Sequence, residues 1–319
     1  MILYNLEELE STNIQTTNGY SKIIHLTWKN REIPERWKRS WDNWISLHPD
    51  FIVMLWTDIE NRKLVELYYS DFLDKYDTYP YNIQRVDAVR CFYLHRYGGI
   101  YSDLDIAPLR SFETVLTSYN NEVLLLSDVG SWSGIRDWSK GSLLSAYINS
   151  KARSTNMLMI SKPKSKFWDL VKSKLENPEI PWFAFTRHFY IMCTTGPFVI
   201  DSVRKKLTTE EETMKEVKKL TTEEETMKEA KRGKRLMIEE EMSNKQTVGI
   251  LPSNLFQPCT VCDPKPCSTS DSYVEMLSGG SWGEVDSVII TWLSCYGNII
   301  LAIVIFILVL VLIWLMMRR

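Results

Sequence analysis

The stretch that decides the fold is QRVDAVRCFYLHRYGGIYSDLDIAPLR, residues 84–110. Its apolar spacing predicts a helix over residues 83–97, and the Gly98-Gly99 pair is typical of a helix C-terminus. A short strand is expected over residues 100–104, ended by Pro108. Asp103 and Asp105 close that strand. Because alternate residues of an extended chain face the same side, the two carboxylates are expected to point the same way.

The sequence before this stretch alternates between strand and helix patterns. KIIHLTW (22–28) and FIVMLW (51–56) read as buried strands, with a helix predicted over 33–47 between them. Asp58 is expected to cap the helix that follows the second strand. The helix over 33–47 has a tryptophan stripe that predicts a core face: Trp37, Trp41 and Trp44. Further strands are expected at 122–127 and 156–161, and a further helix at 164–176. This order predicts an α/β sheet covered by helices.

The composition narrows the function classes. Lys plus Arg total 38 and Asp plus Glu total 40, which gives a formal net charge of -2. A protein that coats nucleic acid would be basic, so we expect no nucleic-acid partner. Hydrophobic residues make up 45% of the chain, enough to build a packed core.

The C-terminal segment IILAIVIFILVLVLIWLMM (299–317) has no charge, glycine or proline. As a helix it would be roughly 29 Å long, about the thickness of a bilayer's hydrocarbon core. We therefore predict a globular domain over 1–287 and a single membrane anchor with a short basic tail over 288–319. A signal-peptide pattern is lacking at the N-terminus, so the anchor is expected to be C-terminal.

The orientation of the anchor stays open. Arg318 and Arg319 follow the span, which favours a cytosolic tail and a domain in the lumen of the Golgi or endoplasmic reticulum. The missing signal peptide and the absence of Asn-x-Ser/Thr sequons favour the opposite, a tail-anchored protein with a cytosolic domain.

Two other segments call for an interpretation. Residues 207–219 and 220–232 are a tandem repeat within a charged segment, about 204–247, which we interpret as an exposed helical insertion; a partner-binding coiled coil is the alternative.

Cys259, Cys262 and Cys267 lie in a proline-rich loop. A zinc site lacks a fourth ligand there, so a disulfide or free thiols are expected, and a local disulfide if the domain is lumenal.

The chemistry is expected around the Asp-x-Asp triplet. Asp87 and Arg90 lie at i, i+3 on the preceding helix and share a face. Taken alone they could be a surface ion pair. If they point into the same pocket as Asp103 and Asp105, the four side chains could hold a hard divalent cation and a diphosphate.

Together these residues resemble the sugar-binding region with an Asp-x-Asp motif found in glycosyltransferase family 32, from Lys22 to about Glu113. Within that family the similarity is greatest to the catalytic subunits of mannosyl inositol phosphoceramide synthases. Weaker resemblance continues downstream in three places: Asn156 with Ser161-Lys162-Pro163, Thr195-Gly196-Pro197 and Gly280-Ser281-Trp282.

The resemblance implies a GT-A fold, that is, a Rossmann-like mixed sheet with helices on both faces. It implies a metal-dependent, retaining transferase, with mannose from GDP-mannose as the expected donor and a lipid head group such as inositol phosphoceramide as the acceptor. Mn²⁺ (or Mg²⁺) is the implied cofactor, and a regulatory subunit is a conceivable partner.

The resemblance also implies roles for single residues. Asp105 is expected to ligate the metal, and Asp103 to contact the donor or the metal shell. Asp87 and Arg90 are expected to bind the transferred sugar and the diphosphate. Trp28 is expected to stack on the nucleotide base, with core packing as the alternative. The same alternative holds for Trp282, which is expected to close over the diphosphate.

One departure from the family pattern matters. Related enzymes often have a histidine near the C-terminal Ser-Trp, and none of the four histidines here lies in that loop, so a third metal ligand is not identified. Two competing functions therefore remain beside the lipid mannosyltransferase. One is a catalytically silent homologue that acts as a membrane-tethered subunit, and the other is a glycosyltransferase with a protein or glycan acceptor.

Overall fold

A computed structural model describes residues 1–127, 154–209, 247–260, 262–280 and 283–317. Several features interpreted above lie outside these ranges: the tandem repeat beyond residue 209, Ser281, Trp282 and the two terminal arginines.

Most strands of the described chain belong to one mixed sheet. Its order is β1-β5-β4-β6-β9-β8-β10. β9 runs antiparallel to both of its neighbours, while the other pairs are parallel. Two small antiparallel pairs, β2–β3 and β7–β11, flank it. The strands are β1 Ile2–Leu3, β2 Thr16–Thr17, β3 Tyr20–Ser21, β4 Ile23–Thr27, β5 Ile52–Trp56, β6 Gly99–Ser102, β7 Ile106–Pro108, β8 Val123–Ser127, β9 Ser154–Ser161, β10 Val248–Leu251 and β11 Val274–Met276.

Helices connect the strands and cover both faces of the sheet. They are α1 Leu6–Ser11, α2 Glu35–Ser46, α3 Asp58–Tyr68, α4 Leu73–Asp77, α5 Asn82–Arg96, α6 Glu113–Ser118, α7 Lys166–Glu176, α8 Arg187–Thr194, α9 197–209, α10 Ser253–Phe256 and α11 Val285–Met317.

The hydrophobic core has two layers, one on each side of the sheet. Along β5, Ile52, Met54 and Trp56 belong to the layer that includes α3 and α5. Val53 and Leu55 belong to the layer that includes the tryptophans of α2. This alternation is what a strand buried on both faces requires. The predicted α/β class, with a mixed sheet and helices on both faces, is confirmed, and so is the core role of the α2 tryptophan stripe.

The structure corrects two local predictions. Thr57, not Asp58, is the N-cap of α3, because its hydroxyl accepts a hydrogen bond from the backbone N–H of Glu60 at 3.3 Å. The strand that leads into the Asp-x-Asp triplet is shorter than predicted and ends at Ser102. Asp103 and Asp105 therefore lie in a turn, closed by the Ile106 N–H and the Asp103 carbonyl at 3.1 Å, and not on extended backbone.

The C-terminal helix α11 is 33 residues long, and residues 285–314 are long and apolar enough to cross a membrane. Near its start it is tied to the domain by a disulfide between Cys262 and Cys295. A second disulfide joins Cys259 to Cys267, which is the local pairing expected for a lumenal domain. The pairing with Cys295 was not predicted.

Candidate active site

The topology of the sheet places a crevice at the carboxyl end of β4. From β4 the chain adds β5 on one side, and it later adds β6 on the other. Ligands of open α/β sheets bind where the strand order reverses in this way. Thr27 and the two residues after it extend from β4 at this point, and Asp103 extends from β6.

A pocket of about 420 Å³ lies at this crevice. Its wall combines three basic side chains, three acidic side chains and two tryptophans with smaller groups. The lining residues are Thr27, Trp28, Lys29, Trp37, Asp58, Asn82, Ile83, Val86, Arg90, Asp103, Leu104, Asp105, Arg187 and Gly280.

Arg90 is the centre of the charged network at the pocket floor. Its Nη1 lies 3.1 Å from Asp87 Oδ1 and donates to the Asn156 carbonyl at 3.1 Å. Its Nη2 lies 3.1 Å from Asp103 Oδ1, and its guanidinium stacks over the Tyr101 ring. Arg90 is only 5% exposed, so it is not part of a surface ion pair. Burial opposes its charge, but the charges of Asp103 and its neighbours raise the pKa of Arg90 overall.

Asp87 lies behind Arg90 and does not line the pocket. Asn156 donates its side-chain N–H to Asp87 Oδ1 at 3.1 Å, and Thr195 donates its hydroxyl to Oδ2 at 3.4 Å. Burial raises the pKa of Asp87 to about 6, although the charge of Arg90 opposes that rise. Asn156 and Thr195 are the downstream residues in which the family resemblance was weak, and the structure brings both to Asp87.

Asp103 and Asp105 share the pocket but have different partners. Tyr101 donates its hydroxyl to Asp103 Oδ1 at 2.6 Å. Burial raises the pKa of Asp103, against the charge of Arg90. Burial and the neighbouring Asp103 carboxylate raise the pKa of Asp105 to about 7. Among the residues that the structure describes, no side chain donates a hydrogen bond to the Asp105 carboxylate.

A C-terminal loop, residues 277–280, packs directly on Asp105. It follows β11, whose pairing with β7 brings Met276 opposite Ile106. The Leu277 N–H donates to the Asp105 carbonyl at 2.7 Å, and the Trp37 indole N–H donates to the Ser278 carbonyl at 2.9 Å. Gly279 is so close to Asp105 that an added Cβ would lie 1.8 Å from Oδ2. Gly280, in the left-handed region at φ +81°, lines the pocket.

The donor set fits a hard divalent cation held by few protein ligands. Burial and, after it, the charge of the neighbouring Asp103 carboxylate raise the pKa of Asp105, and a bound cation would relieve both effects. Both offer oxygen, the ligand that Mg²⁺ and Mn²⁺ prefer. No cluster of three or more acidic, histidine or cysteine side chains occurs in the described part of the chain. The remaining ligands would therefore come from the donor and from water.

Several pocket residues were not predicted from the sequence. Lys29 lies over the Trp28 ring, and Arg187 lies over the Tyr81 ring, so both cations are held at the pocket wall. Asp58 accepts a hydrogen bond from Asn82 at 3.2 Å. These residues lie far apart in the chain, so only the fold shows that they line one pocket.

The tryptophans predicted to bind the donor differ in outcome. Trp28 lines the pocket, half-buried, with its ring edge-on to Trp37 at 4.9 Å. It can therefore present a face to a planar ligand. Trp282 falls outside the described residues, so its predicted role stays a prediction.

The comparisons with known proteins agree with this geometry. The family described as glycosyltransferase sugar-binding region containing DXD motif matches residues 34–122. Inositol phosphoceramide mannosyltransferase 3 of Schizosaccharomyces pombe is 36% identical over 60% of this chain and 47% of its own length. Inositol phosphoceramide mannosyltransferase 2 of the same yeast is 34% identical over 63% and 52%. Mannosyl phosphorylinositol ceramide synthase CSH1 of Saccharomyces cerevisiae is 33% identical over 58% and 42%.

The chain thus spans about half the length of the curated relatives that it matches. Among solved structures, the PaToxG glycosyltransferase aligns with 63% of this chain and 74% of its own, at 15% identity and a TM-score of 0.37, a likeness too low to support an argument. The matched segment contains α5, β6 and the Asp-x-Asp turn, which build the charged floor of the pocket. Residues 34–122 therefore match the family that the sequence resemblance indicated, the glycosyltransferase sugar-binding region containing the DXD motif.

Proposed function

We propose that this protein is a membrane-anchored, retaining glycosyltransferase that moves mannose from GDP-mannose to the head group of inositol phosphoceramide. The observation that carries the proposal is the Arg90 bridge between Asp87 and Asp103 on the floor of the pocket, within the segment matched by the sugar-binding family. The names of the relatives support the choice of mannose and of the lipid acceptor.

The charges of the pocket suit a nucleotide diphosphate sugar. Three basic and three acidic side chains line the wall, so the pocket is balanced without a ligand. A divalent cation adds two positive charges and a diphosphate adds two negative charges, so the net charge of the pocket stays unchanged when both bind. In this proposal Lys29 and Arg187 contact phosphate oxygens and Trp28 stacks on the base; all three line the pocket. Asp58 and Asn82 offer hydrogen bonds to sugar hydroxyls.

The mechanism relies on positioning and on neutralised charge. When bound at Asp105 and Asp103, a divalent cation would stabilise the leaving diphosphate. Arg90 holds the Asp103 carboxylate in place, and Asp87, fixed by Asn156 and Thr195, holds Arg90. A retaining transfer by front-face attack needs no separate general base, because the leaving phosphate oxygen can accept the proton of the acceptor hydroxyl. The protein then contributes orientation and a preorganised electrostatic environment.

We also propose that the domain faces the lumen of the endoplasmic reticulum or Golgi. Two disulfides occur between the candidate site and the membrane helix, and such bonds persist in oxidising compartments. The arginines after the span favour the same orientation.

The test is transfer by the full chain in detergent micelles containing inositol phosphoceramide. The assay varies the sugar donor (GDP-mannose and other GDP- and UDP-sugars) and the metal ion (Mn²⁺ or Mg²⁺). The mass of the lipid product is measured by mass spectrometry. We expect a product one hexose heavier that is lost in Asp105→Asn, while the variant melts like the parent. Donor binding without turnover would instead favour a silent membrane-tethered subunit. Donor hydrolysis without lipid product would favour a protein or glycan acceptor.

A further inference from the structure

The first turns of α11 are amphipathic, although the rest of the helix is uniformly apolar. The backbone N–H of His188 donates to Asp286 Oδ2 at 2.7 Å, and His188 Nδ1 lies 3.1 Å from Ser287 Oγ. Ser287 and Ser294, one heptad apart, are buried against the domain. This part of α11 therefore docks on the domain through a polar face.

The opposite face of the same turns is an apolar stripe. Its members recur at i, i+3, i+4, i+7 and i+11, and each is at least half exposed: Val285, Val288, Ile289, Trp292 and Tyr296. The helix continues without a break into the segment that can span a membrane. The Cys262–Cys295 disulfide fixes the domain only four residues before the uncharged run 299–317, roughly 6 Å along the helix axis. The stripe is thus continuous with the lipid-facing surface of the span.

A second apolar feature lies beside the start of α11. The turn at residues 181–184 is closed by the Ala184 N–H and the Pro181 carbonyl at 2.9 Å. Phe183 packs edge-on against Phe189 of α8, which holds the turn in place. Trp182 and Phe185 point outward instead, at 88% and 80% exposure. Two aromatic rings held this far out by a fixed turn are typical of a docking surface.

The turn and the stripe are fastened to each other. Thr186 is the N-cap of α8 and follows the turn directly. The first two residues of α8 contact the start of α11. Arg187 forms an ion pair with Glu284, just before α11, and His188 contacts Asp286 and Ser287. We propose that the aromatic turn, residues 180–185, and the apolar stripe of α11 form one surface that lies in the interface of the bilayer. Trp and Phe favour that depth, where the ring meets lipid.

This surface would set where the active-site pocket stands relative to the lipid. Arg187, two residues after Phe185, lines the pocket, so the pocket mouth would be held at the level of the lipid head groups rather than on a stalk above them. The inference rests on the anchor role of α11 in the proposed function, but not on catalysis.

The test measures the membrane depth of single labels on the full chain in lipid nanodiscs. Trp182→Cys and Val288→Cys are labelled with an environment-sensitive NBD maleimide without reductant. The parent chain measures background labelling, since its free thiols Cys91 and Cys193 are buried. Leu67→Cys on α3 is the matched control, because Leu67 is apolar and 56% exposed but lies on a helix that packs against α1, α4 and α5.

We expect blue-shifted emission at residues 182 and 288, and quenching by lipids with a nitroxide near the head group; the label at 67 should show neither. Emission at 182 that matches the label at 67 would overturn the proposal. A blue shift without lipid quenching would also overturn it, because a protein partner would then cover the surface. A label in Ile307→Cys, within the span, should be quenched by deep nitroxides; if it is not, the anchor itself fails, independently of the aromatic turn.

Discussion

Replacing Gly279 by alanine tests whether the C-terminal loop fixes the Asp105 carboxylate, for which we propose a role in metal binding. The added methyl group would lie 1.8 Å from Asp105 Oδ2, whereas ordinary contact begins near 3.4 Å. The carboxylate must therefore move by about 1.5 Å, and a misplacement of about 1 Å can cost on the order of 100-fold in rate. The atom that must move is the end of a side chain, and Gly279 has no left-handed backbone. Stability should therefore change by less than about 1 kcal/mol.

The assay compares mannose transfer, the Mn²⁺ concentration for half-maximal rate, and the melting temperature. Gly283→Ala is the control four residues further along the chain, because its methyl group would lie 3.4 Å from its nearest neighbours. We expect Gly279→Ala to lose about ten- to a hundredfold in rate and to need more Mn²⁺, while Gly283→Ala behaves like the parent. Full activity in Gly279→Ala, with unchanged metal dependence, would show that the position of Asp105 does not limit the reaction.

Three further predictions concern the fold around the site. Burial lowers the pKa of His25 from 6.5 to about 4, so the unfolded chain binds a proton as the pH falls through 6.5 while the fold does not. The contribution of neutral His25 to the free energy of unfolding is thus fully present above pH 6.5, and about 2 kcal/mol of it should be lost between roughly pH 7.5 and pH 5. Denaturant titrations at several pH values should show that His25→Gln removes this part of the pH dependence. The same pH dependence in the variant and the parent would contradict the prediction. Tyr101→Phe removes the hydroxyl that donates a hydrogen bond to Asp103. The variant should lose about 1–2 kcal/mol of unfolding free energy and have a higher KM for the nucleotide sugar. An unchanged midpoint of denaturant unfolding would contradict a stabilising role for this hydrogen bond. In denaturant without reductant, mass spectrometry should find alkylation at Cys91 and Cys193 alone, and at all six cysteines after reduction. Four labelled thiols before reduction would exclude one of the two disulfides, and six would exclude both.

The sequence was most informative where local pattern and burial agree. The strands β4 and β5 follow from short apolar runs, and the tryptophan face of α2 follows from spacing with a period of 3.6 residues. The Asp-x-Asp turn was misjudged as extended because β6 ends two residues earlier than its apolar run suggests. Asp103 and Asp105 still meet in one pocket, but through a turn stabilised by the loop that follows β11 and not through strand periodicity.

The remaining wall of the pocket could not be predicted, because its residues come from distant segments. Lys29 follows β4, and Arg187 opens α8 more than 150 residues later. The pairing of Cys262 with Cys295 is of the same kind, since connectivity does not follow from cysteine spacing. What brings these residues together is the sheet order and the docking of α11, and both depend on long-range packing.

The contacts of Asp87 explain why weak resemblance downstream of the main motif carried physical meaning. A buried carboxylate is costly unless it is paired and hydrogen-bonded. Arg90, Asn156 and Thr195 together meet that need. Loss of Asn156 or Thr195 would remove a hydrogen bond from Asp87, and Asp87 would then orient Arg90 less firmly towards Asp103. The site thus depends on single positions far from the Asp-x-Asp triplet, and the resemblance at Asn156 and Thr195 is better explained by their hydrogen bonds to Asp87 than by contact with the substrate.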